Sequence, residues 1–292
     1  DLAVDLYDRT LVLFDHREDP ENPPSWREEI QRFYQARLPQ INCVVHKVRN
    51  SPDPAQRKGF LSGEGTPADR VKEWDTGYAL DLTLNQDSSF YLDMRNLRRW
   101  LLESCSGCDV LNTFAYTGSL GVAALTGGAR FVLQTDRNRA FLAFARTSCM
   151  LNHLDLGKMK LQAGDFFTQM SQLRRQGELF DLVLLDPPFF SVSSQGVVNQ
   201  QEAGWRLINK VRPLVRDGGR IVAVNNSLYL SGEAFMRSLE ELCAEGFMRV
   251  EQIIPVPADV TGTPATICRK PPVPVEPFNH PTKIVVLRVW RK

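Results

Sequence analysis

Apolar and polar positions change rhythm near residue 90 of the chain. Before that point the pattern is irregular. Leu11-Val12-Leu13-Phe14 reads as a strand, and residues 42–48 alternate as a half-buried strand does. Ser25, followed by Glu28, forms a capping box that predicts a helix to about Arg37. Residues 50–66, rich in Pro, Gly, Ser and charge, predict a loop. Residues 77–84 and 89–92 predict a hairpin closed by Asn85-Gln86-Asp87-Ser88, docked on the domain that follows. No catalytic constellation stands out here. The expectation is a small α+β module over 1–88 that binds substrate or braces the rest.

From residue 89 the rhythm is regular. Helices are predicted over 97–103, 118–125, 139–152, 200–215 and 233–245. Strands are predicted over 109–111, 131–134, 159–162, 180–185, 220–224, 248–254 and 284–289. Alternation of this kind predicts an α/β domain over 89–292, built on a parallel, doubly wound, Rossmann-like sheet. Such sheets bind ligands outside the carboxyl ends of their strands. The residues just after each strand are therefore the candidates.

Composition narrows the class. With 43% hydrophobic and 24% charged residues, the chain is neither disordered, collagen-like nor a coiled coil. No apolar run approaches the roughly 20 residues that span a bilayer, so no membrane partner is expected. A formal charge of +1 excludes a strongly basic nucleic-acid clamp but leaves room for a local patch. Six cysteines are too few for a disulfide scaffold. Cys149, Cys243 and Cys268 sit in apolar segments and read as reduced core residues. Cys105-Ser-Gly-Cys108 has metal spacing but no second pair, and reads as a helix-to-strand turn. The histidines at 16, 46, 153 and 280 show no metal spacing, so no metal is expected. The chain starts at Asp1, not Met, and no charged-then-apolar leader follows; it is expected to be either trimmed or cytoplasmic by default.

The junctions carry the chemistry. After the first strand of the regular region comes Asn112-Thr113-Phe114-Ala115-Tyr116-Thr117-Gly118-Ser119. It is a small turn entering a helix, suited to a nucleoside or an amino-acid carboxylate rather than a pyrophosphate. After the second comes Asp136, placed to accept from ribose hydroxyls or to cap the next helix. After the third come Asp165 and Phe166, an acceptor for an adenine amino group with an aromatic beside it, or again a cap. After the fourth comes Asp186-Pro187-Pro188-Phe189-Phe190. Two prolines stiffen this loop and turn carbonyls to the cleft, and Phe189 can stack on an extruded base.

Together these junctions resemble the class I S-adenosylmethionine-dependent methyltransferases over residues 89–292. The turn at 112–119, Phe90-Tyr91-Leu92-Asp93-Met94-Arg95 and Gly127-Gly128-Ala129 are similar to segments of a bacterial family that methylates large-subunit ribosomal RNA. The resemblance implies a seven-stranded methyltransferase sheet, S-adenosylmethionine as cofactor, RNA as partner, and Asp93 and Arg95 beside the methionine end or the substrate cleft. Many members carry an N-terminal PUA domain, and none is expected ahead of the 1–88 module.

That family has cytosine-C5 and guanine-N7 branches. Carbon-5 of cytosine is a poor nucleophile and needs a cysteine to add at C6. Here Val224-Asn225-Asn226-Ser227 follows the fifth strand, without sulfur. The Asn pair resembles the guanine-N7 branch, where Asn225 and Asn226 would hydrogen-bond the base edge. They could instead serve loop backbone groups. An exocyclic amine is the other target, because Asp-Pro-Pro-Phe resembles the loop of amino-methyltransferases; Asp186 and the Pro187 carbonyl would orient the amine. Arg98 and Arg99 are candidates for phosphates, while Lys47, Arg49, Arg57, Lys58, Arg174 and Arg175 read rather as solvated charges. Trp205 is expected in the core. A small-molecule or protein methyltransferase and a non-enzymatic nucleoside-binding protein are the competing classes.

Overall fold

The computed structural model describes residues 2–17, 26–193, 196–262, 267 and 270–291. The chain forms two compact units, Asp1–Tyr91 and Leu92–Lys292.

In the first unit, β1 (Leu2–Tyr7), β2 (Thr10–Asp15), β3 (Cys43–Val48) and β4 (Phe60–Gly63) make one sheet in that order. α1 (Trp26–Arg37) crosses from β2 to β3, which are therefore parallel, while the other neighbours are antiparallel. Ile30, Tyr34 and Leu38 pack on Leu11, Leu13, Ile41 and Val44. Ser25 lies outside the described residues, so its expected cap is not addressed. Strand β4 and the short α2 (Pro54–Lys58) occupy the segment expected to be a loop.

The expected hairpin over 77–92 is replaced. β5 (Arg70–Glu73) and β6 (Thr76–Ala79) pair through Trp74-Asp75, with Trp74 at a φ of 49°, as a two-residue hairpin turn requires. Asp81 Oδ1 then accepts from the Thr83 amide at 2.8 Å, an Asx turn that stops the strand. Ser89, at a φ of 58°, cannot continue one. Lys47 is not solvated either. It is buried, and its ammonium donates to the carbonyls of Lys58, Asn85 and Asp87 at 2.9, 2.7 and 2.8 Å.

The second unit is a three-layer α/β domain. β7 (Asp109–Thr113), β8 (Phe131–Asp136), β9 (Met159–Ala163), β10 (Phe180–Leu185), β13 (Val215–Asn225), β14 (Met248–Ile253) and β15 (Lys283–Val289) form a seven-stranded sheet ordered β14-β15-β13-β10-β7-β8-β9. α3 (Arg95–Ser104), α4 (Ser119–Thr126), α5 (Arg139–Leu151), α6 (Phe166–Arg175), α7 (Gln200–Val211) and α8 (Gly232–Cys243) supply the crossovers and flanking layers. The sheet is not wholly parallel. β15 inserts antiparallel between β13 and β14, and among the described residues of the connection from β14 the short α9 (Ala258–Thr261) is the one helix. A small hairpin, β11 (Phe190–Ser193) with β12 (Gly196–Asn199), follows β10. α7 ends at Val211, before Pro213. Cys105 and Cys108 form the turn from α3 into β7; Cys268 lies outside the described residues. Among the described residues, no helix is long and apolar enough to cross a membrane.

Candidate active site

Strand register decides where the candidates converge. Leu185 pairs with both Thr113 and Ala223, Thr113 with Thr135, and Asp136 with Ala163. The carboxyl ends of β13, β10, β7, β8 and β9 thus form one edge. The order of strands reverses between β10 and β7, which opens a crevice there. The segments at 112–119, 136, 164–166, 186–189 and 225–226 all leave from this edge.

The first turn is tightly built. Phe114, Tyr116 and Gly118 have φ values of 52°, 52° and 78°. Two non-glycine residues in the left-handed region cost on the order of 1–3 kcal/mol each, a strain typical of ligand-holding turns. A Cβ on Gly118 would stand 2.5 Å from the Ala145 Cβ and 2.8 Å from Gln134 Oε1, so only glycine lets α4 start this close to β8. Gln134 is the buttress that sequence reading missed. Asn112 Nδ2 donates to its Oε1 at 3.0 Å. Asn112 Oδ1 is buried and has no hydrogen-bond partner among the described residues. Thr117 is buried and Ser119 half-buried at the helix entrance.

Asp136 is not the cap of α5. Asn138 fills that position, accepting from the Ala140 amide at 2.9 Å. Asp136 instead accepts from the Tyr116 amide through Oδ2 and from the Asn138 amide through Oδ1, each at 2.8 Å. It ties the first turn to the second. A carboxylate offers about four lone-pair sites, so its capacity exceeds these two bonds.

Asp165 does cap its helix. Its Oδ1 accepts from the Thr168 amide at 3.1 Å. Phe166 is buried and stacks on Phe114, with ring centroids 4.6 Å apart and an interplanar angle of 23°. The first and third junctions are thereby in contact. Tyr116 packs edge-on against Phe141 at 4.9 Å.

On the other side of the crevice, Asp186 is half-buried at the surface but closely surrounded by protein atoms. Burial, with the nearby Asp93 carboxylate, pushes its pKa up to about 7. Pro187 is buried, whereas Pro188 and Phe189 are exposed, Phe189 by 42%. Asp93 Oδ2 accepts from Thr282 Oγ1 at 2.7 Å. Arg95 is ion-paired to Asp259, and Asn96 Nδ2 donates to the Pro255 carbonyl at 2.9 Å. The start of α3 is therefore clasped to the segment after β14.

Asn225 and Asn226 part company. Asn225 is buried, its Oδ1 accepting from the Ser227 amide at 3.0 Å and lying 3.5 Å from Lys283 Nζ. Asn226 is exposed. Lys283, also missed in the sequence, is buried and donates to the carbonyls of Ser227 and Pro281 at 2.9 and 2.6 Å. Burial lowers its pKa to about 8. A lone lysine heading an apolar strand reads as a solvated end, which hid it.

Three other expectations fail. Arg98 is completely buried and cannot reach a phosphate. Arg49 is paired with Asp87 at 2.6 Å. Trp205 is 43% exposed rather than core. Among the described residues, no group of three His, Cys, Asp or Glu side chains could hold a metal ion.

Comparison with known proteins bears on this edge. A family model described as S-adenosylmethionine-dependent methyltransferase matches residues 10–260. A ribosomal RNA large subunit methyltransferase I of Tolumonas auensis is 32% identical over 193 residues, covering 65% of this chain and 48% of that protein. The protein of the same name from Yersinia pseudotuberculosis is 32% identical over 196 residues, covering 66% and 49%. The chain spans about half the length of these curated relatives. Among solved structures, the methyltransferase SMU.776 complexed with SAH superposes with a TM-score of 0.83 at 22% identity, over 99% of this chain and 71% of that one. The M. jannaschii tRNA m1G37 methyltransferase superposes with a TM-score of 0.62 at 15% identity, over 99% and 75%. With the family model spanning most of both units, the chain belongs to the S-adenosylmethionine-dependent methyltransferase family.

Proposed function

We propose that this chain transfers the methyl group of S-adenosylmethionine to a base of ribosomal RNA, with guanine N7 as the target atom. The observation that carries the choice of atom is the pair of loops after the neighbouring strands β10 and β13. They present Asp186-Pro187-Pro188-Phe189 and Asn225-Asn226, with no cysteine in either. The ribosomal RNA methyltransferases matched at 32% identity support the substrate class.

The residues present fit the cofactor. Asn112 Oδ1 is a buried acceptor without a partner among the described residues. Gly118, at a φ of 78°, lets the turn bend tightly into the start of α4 beside it. Asp136 would accept from the ribose hydroxyls, and Asp165, with capacity beyond its cap, from the adenine amino group. The turn 114–119 would close on the methionine portion, with Asp93 and Arg95 on its far side. S-adenosylmethionine supplies an electrophilic methyl carbon.

Guanine N7 has an exposed lone pair and carries no proton, so no base need act on it. Orientation suffices and can supply about 7–11 kcal/mol when the reacting atoms are well aligned. Phe189, exposed beside the crevice, would stack on the extruded base. Asn226 would meet the base edge. Asn225 would act through the loop it holds, because its oxygen is already engaged by Ser227.

A second reading, an exocyclic amine, is favoured by one observation. A carboxyl poised near pH 7 at Asp186 could accept a hydrogen bond from an NH2 group and then its proton. Incubating the full chain with large-subunit RNA and labelled S-adenosylmethionine, then digesting to nucleosides, tests both. The expected product is 7-methylguanosine. An N-methylated amino group would favour the second reading, and 5-methylcytidine would overturn both. The unit at residues 1–91 is proposed to hold the RNA.

A further inference from the structure

The first unit carries a concentration of chemistry that the methyl-transfer edge does not use. Arg27 lies between two rings, its guanidinium carbon 5.9 Å from the Trp26 centroid and 4.9 Å from that of Phe60. Arg17 lies 5.1 Å from the Trp26 ring. Phe60 is backed by His46 at 5.1 Å and 11°, a parallel stack. Two helical turns further along α1, the Arg37 guanidinium lies 3.6 Å from the centroid of Phe33. At about 100° per residue, Trp26, Phe33 and Arg37 fall within about 40° of one another on the helix.

This track does not serve the core. The unit buries Leu11, Leu13, Ile41 and Val44 under Ile30, Tyr34 and Leu38. Phe33 and Phe60 stay 49% and 39% exposed, and Leu61 beside Phe60 is 52% exposed. The track is also rigid. His46 Nε2 is bonded to Ser62 Oγ at 3.1 Å, and Ser62 donates to Gln31 of α1 at 3.1 Å. Burial draws the pKa of His46 down to about 4, so its ring stacks as neutral imidazole.

Most of its guanidiniums have no ion pair among the described residues. Arg17 is held by Asp15 at 2.7 Å. Arg32 and Arg37 donate to the carbonyls of Glu28 and Phe33. Among the described residues, no carboxylate lies within ion-pairing distance of Arg27, Arg32 or Arg37. Glu28 falls on the far side of the helix from Trp26, Phe33 and Arg37, and the acid that acts on Arg27 is Asp15, already held by Arg17. Planar cations lying on exposed rings are what a nucleobase meets in single-stranded RNA sites, where bases stack on aromatics and guanidinium planes. A duplex offers no free base faces to such a surface.

We propose that the track from Phe60 through Arg27 and Trp26 to Phe33 and Arg37 binds single-stranded RNA. Bases stack on the guanidinium planes of Arg27 and Arg37, which the rings of Phe60 and Phe33 support, and the charge of these groups attracts the phosphates. This deepens, and rests on, the reading of the substrate as RNA.

The test is fluorescence anisotropy of the full chain with a labelled single-stranded oligoribonucleotide, and with its duplex, over a salt series. Wild type should prefer the single strand. Phe33→Ala with Phe60→Ala should weaken binding about tenfold or more, since each stacked base contributes about five- to hundredfold. Arg27→Lys with Arg37→Lys should lose affinity while keeping the salt slope, because charge remains and the plane does not. Binding of S-adenosylhomocysteine and the melting temperature should hold in the lysine pair, because Arg37 is exposed and lysine keeps the stem and charge of the half-buried Arg27. If wild type binds and methylates RNA and these variants bind it equally well, the track is overturned and the RNA reading stands. If wild type neither binds nor methylates RNA, the RNA reading itself fails. Variants that change the oligomeric state while leaving RNA binding intact would mark a protein contact and also overturn the proposal.

Discussion

Replacing Asp186 by Asn tests the electrostatics of the crevice without changing its shape. Burial and Asp93 raise the Asp186 pKa from an ordinary 3.8 to about 7. For a carboxyl group, a raised pKa in the fold means that ionisation destabilises the fold. The penalty is absent below the unfolded value, grows as pH rises, and levels off above about pH 7. At 1.36 kcal/mol per tenfold, it amounts to about 2 kcal/mol near pH 5.5 and about 4 kcal/mol near pH 8.5. Asn carries no such charge. Asp186→Asn should therefore gain stability over wild type, and the gain should widen by about 2 kcal/mol between those two pH values. Urea unfolding of both proteins at each pH measures the difference. A gap that does not change with pH would mean that Asp186 ionises as an ordinary surface acid, and the picture of a secluded carboxyl would be wrong. The same acid should make the site prefer the cationic cofactor. Affinity for S-adenosylmethionine relative to the uncharged sulfur of S-adenosylhomocysteine should rise as pH passes about 7.

Other substitutions probe the remaining junctions. Gly118→Ala places a methyl group 2.5 Å from the Ala145 Cβ at a φ of 78°. A cost of about 2–4 kcal/mol is expected, and unchanged thermal stability would contradict the close approach. Asp165→Ala removes the α6 cap, for a loss of about 1 kcal/mol; an added fall in S-adenosylhomocysteine affinity by calorimetry separates cofactor binding from capping alone. Phe189→Ala, at an exposed ring, should leave the melting temperature within about 1 °C while lowering turnover on RNA at least tenfold. Equal turnover would remove Phe189 from the base site.

Much of the second unit was legible because its central strands are buried on both faces and most of its helices are periodic. Runs such as Phe180–Leu185 have few alternatives to a central strand. The site candidates followed from one rule, that ligands gather at the carboxyl ends of strands, and each junction lies on that edge. What stayed hidden depends on long-range contact. Asp136 and Asp165 look alike in sequence, yet one ties two turns together and the other caps a helix. Arg98 and Lys47 look like surface charges, but tertiary packing buries both. Gln134 and Lys283 are polar residues in largely apolar strands, and only the partners they meet reveal their work. In the first unit, short strands with weak alternation left pairing to local turn chemistry. The Asx turn at Asp81 and the left-handed Trp74 moved the hairpin.

The most direct test of the central claim is calorimetric titration of the full chain with S-adenosylhomocysteine, on wild type and on Asp136→Ala, with melting curves for both. The expected result is saturable one-site binding by wild type, lost in a folded Asp136→Ala protein. Well-folded wild type that binds nothing, or an Asp136→Ala protein that binds as wild type does, would contradict the cofactor site described here.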